Sequence, residues 1–244
     1  MCDKKERIVD LHMHVVPGVD DGSESIEESL EMLRRSAKQG VTDVFCTSHN
    51  GYADRYAEDY FKAFIQLKVA VKNAGIDVNL YKGCEVLCME DKMDDILRGL
   101  ESGAFSTLGN SKCVLTEFYP EVYVEEGLSI VQTLKKAGYT PIIAHMERNK
   151  NIAGFMVNTL VENGAYIQIN AHSLGLGADI SVKLRARELL DGGKVHFIGS
   201  DSHGVFYRPP RLEEGISYIK ERFAPFVARQ ILFDNAKMIF NENK

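Results

Sequence analysis

Seven short apolar runs, each followed by a stretch with helical spacing, constrain the fold of this chain more than any other feature. The runs lie at residues 8–11, 44–47, 78–81, 113–116, 141–144, 166–169 and 195–198. Between the first two, Ser25-Ile26-Glu27-Glu28 fits a capping box, Ile26, Leu30, Leu33 and Ala37 follow helical spacing, and Gly40 can close the helix. A polar loop bearing Tyr52 and Tyr56 leads to a helix through Phe61, Phe64 and Ile65, ended by Gly75. Further helices are expected over 90–100, 125–136, 152–162 and 179–191, with glycines closing the last three, and one or two more finish the chain. Strands alternating with helices imply a parallel α/β sheet, and seven units favour a closed or nearly closed barrel over an open sheet. No low-complexity linker or composition break divides the chain, so a single domain over residues 1–244 is expected.

The polar residues fall in a pattern on this frame. His12 and His14, His49, Glu85, Glu117, His145, and Asp201 with His203 all sit at the carboxyl ends of the expected strands. In a parallel α/β barrel those ends gather on one face, where active sites are built. Of the seven histidines, only His196 falls inside a strand. Residues two apart on a strand point to one side, so His12 and His14 aim at one point. Singly, each has an ordinary explanation: a hydrogen-bonded His pair, a solvated glutamate, a helix-capping His145, a loop His203. Eight such residues aligned on one face point instead to a metal site. Imidazole and carboxylate without thiolate suit Mn, Fe or Zn.

Composition excludes several alternatives. The formal net charge of −6 argues against a nucleic-acid backbone as partner, although bound metal would add local positive charge that this count omits. The five cysteines form no Cys-x-x-Cys pair, and none has an arginine six residues later, so a cysteine-phosphatase loop is absent. Reduced thiols, no apolar leader and no apolar run long enough to span a bilayer give a cytoplasmic protein with no membrane insertion as the expectation. Cys84 and Cys88 flank Glu85; packing is their ordinary role and redox sensitivity the alternative.

The segments Asp-x-His-x-His with a following Asp20-Asp21-Gly22, Thr-Ser-His49, Gly-x-Glu85, Glu117-Phe, His145-x-Glu-Arg148 and Ser-Asp201-x-His203 resemble the PHP (polymerase and histidinol phosphatase) superfamily. They are most similar to its bacterial, CpsB/CapC-like protein-tyrosine phosphatases of capsule and exopolysaccharide synthesis. The resemblance implies a distorted (β/α)7 barrel with three divalent metal ions, usually manganese. It implies that His12, His14, Glu85 and Asp201 hold the first ion. Glu85 would bridge to a second held by Glu117 and His145, and Asp21, His49 and His203 would hold the third. Arg148 and Arg208 match phosphate-contacting arginines; the ordinary readings are an ion pair of Arg148 with Glu147 and a turn role for Arg208. Ser23, Ser48-His49-Asn50 and Met146 stand where the family often has proline-containing variants, which touches loop shape and no ligand.

A phosphomonoester dianion repels nucleophiles, so its hydrolysis calls for metals that clamp phosphoryl oxygens and activate water; a metal-bridging hydroxide is the expected nucleophile. The partner the resemblance implies is a phosphotyrosine-bearing protein, a bacterial tyrosine kinase or its substrates. Tyr52, Tyr56, Tyr119 and Tyr123 lie on expected rim loops, where they would contact a peptide or simply pack. The competing readings are a phosphatase of a small ester such as histidinol phosphate, an inactive metal-bearing regulatory barrel, and a PHP nuclease. The complete ligand set counts against the second of these and the acidic balance against the third.

Overall fold

The computed structural model describes residues 6–49 and 56–240. Tyr52 lies outside them. The strands are β1 (Val9–Met13), β2 (Asp43–Cys46), β3 (Asn79–Lys82), β4 (Glu85–Cys88), β5 (Cys113–Phe118), β6 (Thr140–Ile143), β7 (Tyr166–Asn170) and β8 (Phe197–Gly199). They are parallel, in the spatial orders β1-β2-β3 and β4-β5-β6-β7-β8. Two seams close them into a barrel. Between β8 and β1, Asp201 N–H donates to the His12 carbonyl (2.7 Å) and His14 N–H to that of Ser202 (3.0 Å). Past β2, Glu85 N–H donates to the Ser48 carbonyl (3.0 Å).

The third expected strand is split. β3 pairs with β2, whereas β4 pairs with β5, and Gly83-Cys84 forms the break. A side chain at Gly83 would lie 2.9 Å from both Leu108 and Thr47, and its N–H donates to the Tyr60 hydroxyl (3.0 Å), so the chain is drawn tightly across the gap. Glu85 therefore begins a strand instead of ending one.

Helices cover the barrel. In chain order they are α1 (Ile26–Lys38), α2 (Tyr56–Asn73), α3 (Met93–Ser102), α4 (Val124–Lys136), α5 (Val157–Glu162), α6 (Ile180–Asp191), α7 (Glu213–Arg222), α8 (Pro225–Leu232) and α9 (Lys237–Phe240). Tyr56 opens α2 instead of lying in a loop. Ser25 caps α1 by accepting the Glu28 N–H (3.2 Å), but only half of the expected capping box forms, because the Glu28 carboxylate takes the N–H of Glu24. The helix expected from residue 152 starts later, because Asn149 Oδ1 accepts the N–H groups of Asn151 and Ile152 and holds a turn there. The last strand is also later than expected. His196 precedes it, and its Nδ1 accepts the Ile167 N–H (3.1 Å), a side chain replacing a ladder bond.

Two apolar clusters form. One fills the space between strands and helices. The other lies inside the barrel, where Val9, Leu11, Phe45, Leu115, Ile142 and Phe197 converge from opposite strands and Phe233, Ala236 and Ile239 of the C-terminal segment pack against them. Strand alternation would turn His12 away from the interior that Leu11 faces. It does not, because β1 carries one extra residue between Asp10 and Met13 relative to β2. This bulge re-aims His12 and His14 inward above the apolar plug. No helix among the described residues is long and apolar enough to cross a membrane.

Candidate metal centre

All nine candidate ligands lie together, eight of them at or beyond the carboxyl ends of strands and Glu85 at the start of β4. Their donor atoms form overlapping groups: His12, His14 and Asp201; His12, Glu85 and His145; His49, Glu85 and Glu117; and His14, Asp21, His49 and His203. Glu85 is central and only 1% exposed. Its Oε2 lies 3.1 Å from His12 Nε2, 3.2 Å from His14 Nε2 and 3.2 Å from His49 Nδ1, and its Oε1 lies 2.8 Å from His145 Nε2. Asp21, the outlying member, is well exposed and stands 3.5 Å from both His49 and His203.

Whether this set fits cations is decided by the far side of each imidazole. His14 Nδ1 faces Asp20 Oδ2 at 2.8 Å, so it carries the proton there and leaves the Nε2 lone pair facing inward. His12 Nδ1 faces Gln168 Oε1 at 3.4 Å, a longer contact with the same sense. The two Nε2 atoms then oppose each other at 3.0 Å, with carboxylate oxygens of Glu85 and Asp201 beside them. Lone pairs converging so closely repel unless a cation or a proton sits among them. Ligands about 2.1 Å from one ion are separated by about this much, so the donors fit a divalent metal.

The charges agree. Burial disfavours an imidazolium at His14, yet its bonds to Asp20 and Glu85 carry it up to about 10; His145 is carried to about 9, against burial, by Glu85. Without metal, protons take the place of the cations. Burial, then the charges of His14 and Arg208, hold His203 down to about 3, so its ring is neutral; its Nδ1–H faces the Asp201 carbonyl (3.1 Å) and its Nε2 lone pair accepts from Arg208 Nη1 (2.9 Å), a bond that a metal ion there would replace. Burial, then Glu85, pushes Glu117 up to about 7. Burial works against the Asp201 carboxylate too, but His12, His145 and Arg148 hold it well below the usual range.

Arg148 does not pair with Glu147. Its Nη1 lies 2.9 Å from Asp201 Oδ2, and Arg208 Nη2 lies 2.5 Å from Asp201 Oδ1, so both guanidiniums edge the cluster. The Glu147 carboxylate turns away to accept the Asn170 N–H (3.0 Å) and the Ser173 hydroxyl (2.6 Å). Cys84 and Cys88 are fully buried, which suits packing; burial pushes the Cys88 thiol up and away from reactivity.

Several supporting residues escaped the sequence reading. Besides orienting His14, Asp20 accepts the N–H groups of His49 (3.0 Å) and Gly22 (3.0 Å). Gly22 has to be glycine, since a Cβ there would lie 2.3 Å from the His14 carbonyl. Asp10 takes the Ser200 N–H (2.8 Å), pinning β8 to β1. On β7, Gln168 accepts the His145 N–H (2.8 Å) and donates to Asn170 (2.9 Å), which donates to Asp201 (2.9 Å). This amide pair braces two residues held at positive φ, His145 (30°) and Asp201 (53°), a region costly for side chains other than glycine. The pairing Asp-Asp hinted at Asp20; nothing in the sequence separates Gln168 and Asn170 from ordinary polar residues.

A cavity of about 100 Å³ opens beside the cluster, lined by Glu117, Phe118, Pro120, His145, Met146 and Arg148 among others. A larger groove of about 480 Å³ runs along α2 and β3, but no histidine or carboxylate lines it.

The comparisons with known proteins point to the same place. The lactonase Lmo2620 from Listeria monocytogenes aligns with TM-score 0.60 at 13% identity over 98% of this chain and 96% of its own, which shows a shared barrel fold alone. A far nearer match is the structure described as that of YwqE from Bacillus subtilis and CpsB from Streptococcus pneumoniae, "unique metal-dependent tyrosine phosphatases". It has a TM-score of 0.86 and 26% identity, covering 96% of this chain and 94% of that one. The tyrosine-protein phosphatase CpsB of Streptococcus pneumoniae is 31% identical over 246 residues, 95% of this chain and 98% of that protein. The family model for capsular polysaccharide synthesis, CpsB/CapC, matches residues 8–241, which takes in every strand and all nine converging donors, and the chain belongs to that family.

Proposed function

We propose that this chain is a metal-dependent protein-tyrosine phosphatase of capsular polysaccharide synthesis, acting on a phosphotyrosine-bearing protein such as a bacterial tyrosine kinase. The observation that carries this reading is the pair of imidazole lone pairs meeting at 3.0 Å beside two carboxylates, with two arginines on the same rim. His12, His14, Glu85, Asp201, Glu117, His145, Asp21, His49 and His203 would hold up to three divalent ions, manganese being the expected metal and iron or zinc the alternatives. Bound ions would neutralise phosphoryl oxygens and make a water acidic enough to act as nucleophile at neutral pH.

The chain's own groups do the rest. Arg148 and Arg208 offer planar forks matched to phosphate oxygens. Because both lean on Asp201, their charge stays at the rim where the phosphoryl group would sit. Glu85 reaches both sides of the cluster with its two oxygens. The Asp20 and Gln168 bonds keep the imidazole lone pairs inward. A tyrosine leaving group has a pKa near 10, so its departure calls for less proton donation than an alkyl alcohol.

Chelator-stripped protein is expected to hydrolyse a phosphotyrosine peptide only after Mn²⁺ is restored, and to prefer it to histidinol phosphate. Preference for histidinol phosphate would overturn the substrate; turnover unaffected by chelation would overturn the metal. Asp20→Ala is expected to weaken metal binding by roughly 10–100-fold, measured by competition with a chromophoric chelator, because His14 loses its orienting partner. Unchanged affinity would remove Asp20 from that role.

A further inference from the structure

The loop that carries His203 and Arg208 is built around two residues that no step above uses. Its ends are tied by the His203 N–H donating to the Arg208 carbonyl (3.0 Å). Its middle is gripped by α1: Glu28 accepts the Val205 N–H (3.1 Å), and Arg35 donates to the Val205 carbonyl (2.7 Å). Just beyond, Gln39 donates to the Pro210 carbonyl (3.0 Å) and accepts the Leu212 N–H (2.7 Å). A side chain at Gly204 would meet Glu28 Oε1 at 2.9 Å, so the loop lies flush against the helix. Yet Phe206 and Tyr207 at the tip are 92% and 76% exposed. A loop fastened on both sides has no need of exposed aromatics for its own stability, and rigid aromatics on a fixed backbone are what peptide-binding surfaces use.

We propose that Phe206 and Tyr207 form the platform on which the peptide flanking the phosphotyrosine is laid, making them specificity-determining residues for protein substrates. The proposal rests on the phosphatase reading above and deepens it. Tyr207 is adjacent to Arg208, and Phe206 is one residue further. At ~3.8 Å between consecutive Cα atoms, the backbone of both residues lies within about 8 Å of that of Arg208, whose guanidinium would grip the phosphate. An aromatic surface on that rim would meet the residues that flank the phosphotyrosine in the substrate. A second copy of this chain would have to cover the mouth of the site to use the same surface, and the rim position therefore favours substrate.

The test compares two substrates on the manganese-loaded enzyme. The double variant Phe206→Ala/Tyr207→Ala is expected to raise KM for a phosphotyrosine decapeptide about tenfold while changing kcat/KM for p-nitrophenyl phosphate by less than about twofold. The conservative variant Phe206→Tyr should keep the parental peptide KM. Equal loss on both substrates would overturn the platform and mark the pair as supports of Arg208. An unchanged peptide KM would overturn it as well, and so would sedimentation showing a dimer that the double variant dissolves with peptide turnover intact. Failure of the parent enzyme to turn over either substrate with metal would instead overturn the phosphatase reading, so the two failures are distinct.

Discussion

Glu85→Gln is expected to lower metal-dependent phosphotyrosine hydrolysis by roughly a thousandfold or more, the largest effect of any single substitution in this chain. Glutamine keeps the volume and so leaves the packing of a fully buried position intact. What it removes is the charge, and one of the two oxygens that together face four imidazoles at 2.8–3.2 Å. Its amide N–H groups would point at those imidazoles, where a cation would otherwise sit. The metal-free protein should be destabilised too. Glu85 holds His145 protonated and shares that role with Asp20 at His14, and removing one partner of a buried ion pair typically costs ~3–5 kcal/mol. At about 2–4 °C per kcal/mol for a chain of this size, the metal-free Tm should fall by about 10 °C. Phosphopeptide kinetics, metal content and thermal unfolding on the same preparation separate the two effects. A variant that keeps metal-dependent turnover within tenfold of the parent would show that Glu85 is not at the centre of the chemistry.

The site was legible in the sequence wherever a ligand type coincided with a strand end. His49, Glu117, His145 and Asp201 each follow an apolar run, and strand periodicity pairs His12 with His14. The matching of residue type to position carried the barrel as well, because β/α alternation leaves few other closed arrangements. What stayed hidden depends on contacts between distant segments. The bulge in β1 shows only when its register is counted against β2; without it the two histidines would face away from Glu85. The break at Gly83 depends on Leu108 and Thr47 pressing from other elements. Asp20 reads as a spare acid until His14 and the His49 N–H are placed against it. Gln168 and Asn170 matter because β7 faces both His145 and Asp201, which no local pattern encodes. The exposed Phe206 and Tyr207 read as ordinary loop residues until α1 is seen to clamp the backbone beneath them.

The second large effect concerns pH, and its sign follows from which state binds more protons. In the metal-free fold His14 and His145 have pKa values of about 10 and about 9, above the ~6.5 of an unfolded histidine. Above pH ~6.5 the folded protein therefore holds protons that the unfolded chain releases. The stabilisation they give is complete below pH ~6.5 and is lost as pH rises through about 9 to 10. Glu117, raised to about 7 by burial and then by Glu85, acts in the same direction but mostly below that window, between the ~4.3 of an unfolded glutamate and about 7. Metal-free protein should thus lose several kcal/mol between pH 6.5 and 10, seen as a falling Tm. Loading with metal replaces those protons, so the loaded form should show little of this slope. The same linkage makes metal binding release about two protons per protein, so apparent affinity should rise up to ~100-fold per pH unit between pH 7 and 8.5. Calorimetric titration in buffers of different ionisation enthalpy counts the protons directly. A pH-independent affinity with no proton release would mean that the histidines facing Glu85 are already neutral, and that the inward lone pairs are held open by something other than protons.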